Sequence, residues 1–346
     1  MRYRALGTSG MLVSEIALGT ATFGEIADRD DAERIVAVAL DRGINFFDTA
    51  DVYVGGRSEE IIGRALKPHR DRVILATKVG ARVGDDEAAL AASHRIGGLD
   101  HAARWTRGIA PTDQGLSRKH LTAALESSLR RLDTDYIDLY TLHRFDPHTS
   151  IENVLDTLTS FVAAGKVRAV ACSGWAAWRL TRALSIAELR RTVRLEATQL
   201  PYNLLLRGQK PEIISACAEQ NVGLLAFQVL AGGMLTGRHS LSVEPQAGSR
   251  LGSRESYRSR YWNASTDSAV HALVAHANVV GRTPAELAIG WVLAHPPITS
   301  VLFGASQPTQ LDDAWRATEC PLTQSEVSAL ETALDNCTID HQGSGT

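Results

Sequence analysis

Four side chains in the first 143 residues carry acid–base chemistry if they are brought together: Asp48, Tyr53, Lys78 and His143. Three of them close short runs rich in β-branched and apolar residues. Asp48 follows the run 44–47, Lys78 follows 73–77 and His143 follows 136–142, while Tyr53 stands five positions after Asp48. Charged side chains are rarely buried without partners, so a lysine directly after the apolar run 73–77 needs a carboxylate, and Asp48 on the neighbouring run supplies one. A lysine cation beside a tyrosine hydroxyl favours the phenolate and lowers the tyrosine pKa from about 10. Tyr53 then becomes a proton donor and acceptor usable near neutral pH. A neutral His143 can hydrogen-bond the same reacting oxygen and fix its direction. Taken singly, Asp48 and Lys78 read as a satisfied ion pair, Tyr53 as packing, and His143 as structural as readily as catalytic. The four in order read as one site, whereas Tyr136 and Tyr140 read as packing residues.

The elements that must position these groups follow from period and punctuation. Eight β-rich runs (15–19, 44–47, 73–77, 136–142, 167–172, 195–199, 222–227 and 300–303) alternate with amphipathic patterns at 31–42, 58–66, 117–131, 150–164, 209–220 and 308–317. Several patterns open on Ser or Asp in cap position. Such alternation predicts a parallel sheet, and eight β/α units predict an α/β chain folded as a single (β/α)8 TIM barrel spanning 1–346 as one domain. That fold keeps its reacting groups at the C-terminal ends of the strands. Asp48, Lys78, His143, Ser173-Gly174, and Gln199 with Asn203 then face one mouth. Residues 79–116 and 228–266 read as long loops on that rim. The segment 3–13, with Gly7-Thr-Ser-Gly10 at its centre, reads as an N-terminal β-hairpin that cannot join a parallel ring and so plugs the far end. Extra C-terminal helices are expected at 267–280 and 323–334, with 335–346 a flexible tail.

Composition limits the alternatives. Hydrophobic content of 44% and charged content of 22% are ordinary globular values,. A net charge of −3 provides no field toward nucleic acid or anionic membrane,, so the expected partner is a small molecule, with no nucleic acid and no membrane. Cys172, Cys217, Cys320 and Cys337 lack zinc spacing, which argues for reduced thiols and no metal,. The opening Met1-Arg-Tyr-Arg is unlike a secretory signal, and a cytoplasmic location is expected,. Gly19-Thr-Ala-Thr-Phe-Gly24 does not fit the GxGxxG dinucleotide fingerprint,, and the GxSxG nucleophile elbow is absent.

Several motifs together resemble the aldo-keto reductase family over nearly the whole chain. They are Gly43-Ile-Asn-Phe-Phe-Asp-Thr-Ala-Asp-Val-Tyr53, Leu132-Asp-Thr-Asp-Tyr-Ile-Asp-Leu-Tyr-Thr-Leu-His143 and Gly165-Lys-Val-Arg168, followed by Gln199-Leu-Pro-Tyr-Asn203, Leu230-Ala-Gly-Gly-Met-Leu-Thr-Gly237 and Phe303-Gly-Ala-Ser306. The resemblance implies a catalytic tetrad of Asp48, Tyr53, Lys78 and His143 and reduction of an aldehyde or ketone with NADPH. It also implies that Ser173, Gly174 and Gln199 meet the nicotinamide carboxamide and that Phe227 stacks on its ring. Leu230, Leu235 and Gly237 would line the pyrophosphate, and Gly304, Ser306, Gln310 and Asp313 the adenosine end. The chain departs from the family at three places. Gly174 stands where Asn is usual, Ser306-Gln307 where a basic residue often meets the 2′-phosphate, and Ala314 where an Asn binds adenine.

Arg82, Arg95, Arg104, Trp105 and Arg107 suit a polar or phosphorylated ligand,, and Cys172-Ser-Gly-Trp-Ala-Ala-Trp178 with Leu230-Ala-Gly-Gly233 resembles bacterial reductases acting on keto groups of sugars, including nucleotide-linked deoxysugars. The resemblance implies such a substrate, a keto-sugar or a nucleotide-linked deoxysugar, and a broad aldehyde reductase with a disordered 79–116 loop is the equal alternative. Arg250, Arg254, Arg258 and Arg260 read as a solvated loop or a phosphate wrap. Relatives resembling potassium-channel β subunits keep the barrel chiefly to regulate a partner, so a nicotinamide-binding sensor with little turnover is the competing reading.

Overall fold

The computed structural model describes residues 1–81, 112–207, 211–246, 248–295 and 297–334. The tail 335–346 and the residues Arg82, Arg95, Arg104, Trp105 and Arg107 lie outside the described residues.

Eight parallel strands close into a barrel: β3 (Ile16–Gly19), β4 (Phe46–Asp48), β5 (Ile74–Val79), β6 (Ile137–Leu142), β7 (Val167–Ser173), β8 (Leu195–Pro201), β9 (Gly223–Phe227) and β10 (Ile298–Gly304). They run in chain order around the ring, and β10 closes it by pairing with β3. The expected (β/α)8 barrel is therefore the fold. Side chains alternate between the two faces of a strand, and one alternate set forms the barrel interior. Ala17, Phe46, Ala76, Leu139, Ala171, Ala197, Leu225 and Leu302 share one buried cluster. The other set packs outward on the helices in a larger cluster.

Strands β1 (Tyr3–Ala5) and β2 (Leu12–Ser14) pair antiparallel as the predicted hairpin. Leu6 and Val13 belong to the interior cluster and are fully buried, so the hairpin stoppers the N-terminal end of the barrel. Gly7 permits this approach: its φ is +57°, and a Cβ there would stand 2.3 Å from the backbone oxygen of Glu196,.

The helices begin where short polar side chains can satisfy the first unpaired N–H groups. Asp28 caps α1 (Arg29–Asp41), accepting from Asp31 N at 2.8 Å. α2 (Arg57–Leu66) follows β4, while Ser117 and Ser150 cap α3 (Arg118–Leu132) and α4 (Ile151–Ala163). α5 (Ala177–Arg190) and α6 (Pro211–Glu219) complete the next two units. The long segment after β9 is more ordered than its composition suggests, containing α7 (Arg250–Ser253) and α8 (Glu255–Tyr261). α9 (Ala264–Val280) precedes α10 (Pro284–Leu293), which packs on β10. After that strand come α11 (Leu311–Glu319) and α12 (Gln324–Leu334). No helix among the described residues is long and apolar enough to cross a membrane.

Candidate active site

The interior alternation also fixes the mouth. Two residues beyond each apolar interior residue, the next inward-facing position on its strand is Gly19, Asp48, Lys78, Thr141, Ser173, Gln199, Phe227 or Gly304,. Register holds them at matching heights, with Gly19 opposite Asp48, Lys78 opposite Thr141, Ser173 opposite Gln199 and Gly304 opposite Gly19. An apolar plug thus carries a polar layer at the C-terminal ends of the strands.

Lys78 lies at the centre of this layer. Its Nζ pairs with Asp48 Oδ2, donates to the Thr49 carbonyl at 2.8 Å and lies 3.1 Å from Tyr53 Oη. The turn after β4 brings Tyr53 back over the barrel. Asp51 N donates to the Lys78 carbonyl at 3.3 Å, Tyr53 N to Ala50 O at 3.2 Å, and a 3-10 turn over Tyr53–Gly56 leads into α2. The buried hydroxyls of Thr20, Thr49 and Ser58 tie this turn to β3 and α2 at 2.8–3.0 Å. Val54 adopts φ +51°, an uncommon conformation for a β-branched residue, directly beside Tyr53,. His143 approaches from β6, with its ring edge-on to Tyr53 at 5.9 Å between centroids. All four predicted residues are therefore brought to one place.

The electrostatics differ from the sequence expectation in one respect. Burial raises the Tyr53 pKa by more than the Lys78 cation and its hydrogen bond lower it, and Asp48 pushes it further up. Tyr53 is consequently a neutral phenol at physiological pH. Burial alone would lower the Lys78 pKa, but Asp48 and Tyr53 together outweigh it, so the ammonium keeps its proton,.

The residues expected at the cofactor occupy the rest of the rim. Gln199 Nε2 donates to Asp48 Oδ1 at 2.8 Å, a contact that motif spacing does not reveal. Ser173 ends β7, and nothing stands within 4 Å of a Cβ built on Gly174, so this stretch of rim is open. Phe227 ends β9, half-buried against the interior cluster. Leu230 is half-buried, while Leu235 is fully buried with its N–H bonded to Leu230 O, and Gly237 N–H is bonded to Met234 O. Gln310 Oε1 accepts from Ser306 N at 2.7 Å, and Asp313 accepts from Thr283 Oγ1 at 2.8 Å. Gln310 thus also closes the turn leading into α11, and Asp313 ties α11 to the cap residue of α10.

Among the arginines after β9, Arg254 pairs with Glu25, Arg258 with Glu244, and Arg260 with Gln228 Oε1. Arg250 stacks on Tyr257, and its Nη2 lies 3.6 Å from a Cβ built on Gly304. Trp175 is core and Trp178 is exposed.

A model of the aldo/keto reductase family matches residues 15–335. The chain belongs to the aldo/keto reductase family. Similar proteins include an uncharacterized oxidoreductase, YrpG, of Bacillus subtilis, 33% identical over 95% of each chain. A probable voltage-gated potassium channel subunit beta of Arabidopsis thaliana is 31% identical over 92% of each. The versiconal hemiacetal acetate reductase of Aspergillus parasiticus is 31% identical over 96% of each. The chain is thus an oxidoreductase of a family that reduces small carbonyl compounds with a nicotinamide dinucleotide. This aldo/keto reductase has a rim whose chemistry fits that cofactor. A hydroxyl and an amide sit side by side on β7 and β8, and Gly19 and Gly304 leave a side-chain-free gap with the Arg250 guanidinium beside it.

Proposed function

We propose that the protein reduces a polar aldehyde or ketone to its alcohol with NADPH. The observation that carries this reading is the Lys78 ammonium shared between the Asp48 carboxylate and the Tyr53 hydroxyl. NADPH supplies the hydride. Tyr53, held as the neutral phenol, gives its proton to the carbonyl oxygen, and Lys78 stabilises the phenolate left behind. Asp48 keeps Lys78 charged and fixed, and His143 orients the carbonyl oxygen from the opposite side. Ser173, Gly174 and Gln199 hold the nicotinamide end and Phe227 covers its ring. The turn with Leu230, Leu235 and Gly237 borders the pyrophosphate, and Gly304, Ser306, Gln310 and Asp313 the adenosine end. Arg250 favours NADPH over NADH, because it brings positive charge to Gly304 where Ser306-Gln307 brings none.

The substrate class is a keto-sugar or a nucleotide-linked deoxysugar. Support comes from the half-buried Arg144 directly after His143, and from Arg179 stacked on Phe145 at 4.1 Å and Trp178 at 4.9 Å beyond the ends of β6 and β7. Arginine with aromatic faces suits hydroxylated or phosphorylated ligands. The unpaired Cys172, Cys217 and Cys320 accord with a reducing cytoplasmic setting,. The likeness to a channel β subunit favours a second reading, a nicotinamide-binding regulatory subunit.

Tyr53→Phe tests the chemistry: it should keep cofactor binding and lose most of kcat. Comparable turnover in that variant would remove Tyr53 from the role. A panel of simple aldehydes, hydroxylated ketones, free sugars and nucleotide-sugar ketones, compared by kcat/KM, tests the substrate class. A wide lead for apolar aldehydes overturns it, and extremely slow NADPH oxidation with every carbonyl favours the regulatory reading.

A further inference from the structure

A second polar cluster lies behind the Tyr53 turn, outside the acid–base chemistry described above. Asp51 is completely buried, and neither of its carboxyl oxygens has a side-chain hydrogen-bond partner among the described residues. The Tyr140 hydroxyl on β6, also completely buried, lacks one too. Glu59 on α2 is the contrast. It is equally buried but fully partnered, by Arg131 Nε on α3 at 2.7 Å and Thr77 Oγ1 on β5 at 2.5 Å.

A carboxylate buried with no side-chain donor, next to a second carboxylate that already holds the local arginine, cannot keep its charge in such a pocket,. Burial pushes the Asp51 carboxyl well above the usual range, and Glu59 adds to it. Arg131, the Val52 backbone and Lys78 oppose the rise without cancelling it. Tyr140 answers in the same sense, driven up by burial, then by Asp51 and Glu59. The charged and titratable groups facing Asp51 are therefore Glu59, Arg131, Lys78 and Tyr140, each from a different element.

We infer that Asp51 is a positioning residue that works as the neutral acid, keeping a second negative charge away from the buried Glu59–Arg131 pair behind the turn that carries Tyr53. The turn has little freedom to absorb a change. Asp51 N is bonded to the Lys78 carbonyl at its start, and Gly56 near its end has φ +95°, with Arg131 so close that a Cβ would meet its Cδ at 2.8 Å. Loss of the Asp51 proton sets two buried carboxylates against each other behind the turn that carries Tyr53 and disturbs its placement,.

The activity arm of the test rests on the reading of Tyr53 as the proton donor; the spectroscopic arm does not. Infrared spectra of the wild-type protein should show the carbonyl stretch of a protonated carboxylic acid at neutral pH, absent from Asp51→Asn and lost as pH rises. In parallel, Asp51→Leu should lower kcat with little change in cofactor affinity, and the conservative Asp51→Asn should restore it. The alkaline fall of wild-type kcat/KM should track the infrared band and move to higher pH in Asp51→Asn. Absence of the band overturns the inference whatever Tyr53 does. A band present with an alkaline limb unmoved in Asp51→Asn overturns the positioning role, while an active Tyr53→Phe would overturn the proton-donor reading and leave the band in place.

Discussion

The side-chain amide of Gln199 donates to Asp48 Oδ1 at 2.8 Å, while the other oxygen of that carboxylate holds Lys78. A residue expected at the cofactor is therefore hydrogen-bonded to the carboxylate that holds Lys78. A hydrogen bond to a charged group contributes about 1.5–3 kcal/mol. Gln199→Leu should weaken NADPH binding and lower kcat together. Gln199→Glu should do more harm, because a second carboxylate facing Asp48 must share its proton, and its activity should fall further as pH rises. Cofactor titration by fluorescence quenching and pH-dependent kcat measure both effects; a Gln199→Glu enzyme indistinguishable from Gln199→Leu at every pH would show that the Asp48 contact carries no electrostatic weight.

Lys78 opposes the burial-driven rise of the Tyr53 pKa, and its removal should affect the two directions of turnover unequally. Tyr53 has a pKa raised by burial against the lowering effect of Lys78. The neutral phenol that reduction needs is present through the neutral range and is lost only as pH climbs through that raised value. Oxidation of an alcohol needs the phenolate, which is scarce for the same reason. Lys78→Met removes the lowering influence and raises Tyr53 further. Carbonyl reduction should fall, and alcohol oxidation with NADP+ should fall more. Equal losses in both directions across alkaline pH would mean that Lys78 does not tune Tyr53.

What the sequence discloses is largely what period and capping encode. Strand ends matter most for the site, and the runs 73–77 and 136–142 stop within two residues of the ends of β5 and β6, so the convergence of the four candidate residues was legible. Helix α10 was not, because every one of its residues after Pro284 is buried and no amphipathic stripe marks it,. Thr283 with Pro284 at the first helical position was the available signal,. Helix α5 has Ala176 in its cap position and so no side-chain cap, which removes the usual opening cue. Net electrostatics were also illegible: the Lys78–Tyr53 pairing is a matter of spacing, but the desolvation that reverses its effect depends on the packed surroundings. The same holds for Asp51, whose place in Asp48-Thr-Ala-Asp-Val-Tyr53 gives no hint of two unpartnered oxygens.

Gly63 sets how closely α2 approaches α3. A Cβ there would lie 2.4 Å from the backbone oxygen of Leu132 and 2.6 Å from its Cα, neither of which can swing aside. Gly63→Ala must push the helices apart, and overpacking of this kind costs about 1–3 kcal/mol. Because α2 begins at the Tyr53 turn, the displacement should also lower kcat, while NADPH affinity, which we place on the rim from β7 to β10, should stay near wild type. Thermal unfolding with paired kinetic and binding measurements checks this, and unchanged melting with unchanged kcat would contradict the contact.

Arg250 bears on the choice between the two nicotinamide cofactors. Its neighbours Arg254 and Arg258 are spent on Glu25 and Glu244, whereas among the described residues Arg250 has only the Tyr257 ring and hydroxyl, with its Nη2 turned toward Gly304. A guanidinium that receives the 2′-phosphate makes charge-assisted hydrogen bonds of about 1.5–3 kcal/mol, which corresponds to roughly 10–100-fold in affinity. Arg250→Ala should weaken NADPH binding by that factor and leave NADH binding nearly unchanged. The NADH measurement separates charge from packing, since a loop loosened by losing the Tyr257 stack would weaken both cofactors alike. The NADPH preference of the wild type should also shrink as salt is added, because the phosphate contact is electrostatic and partly exposed. Equal or tighter NADH binding by the wild-type protein refutes the preference, and equal losses for both cofactors in Arg250→Ala would leave Arg250 a packing residue of the loop.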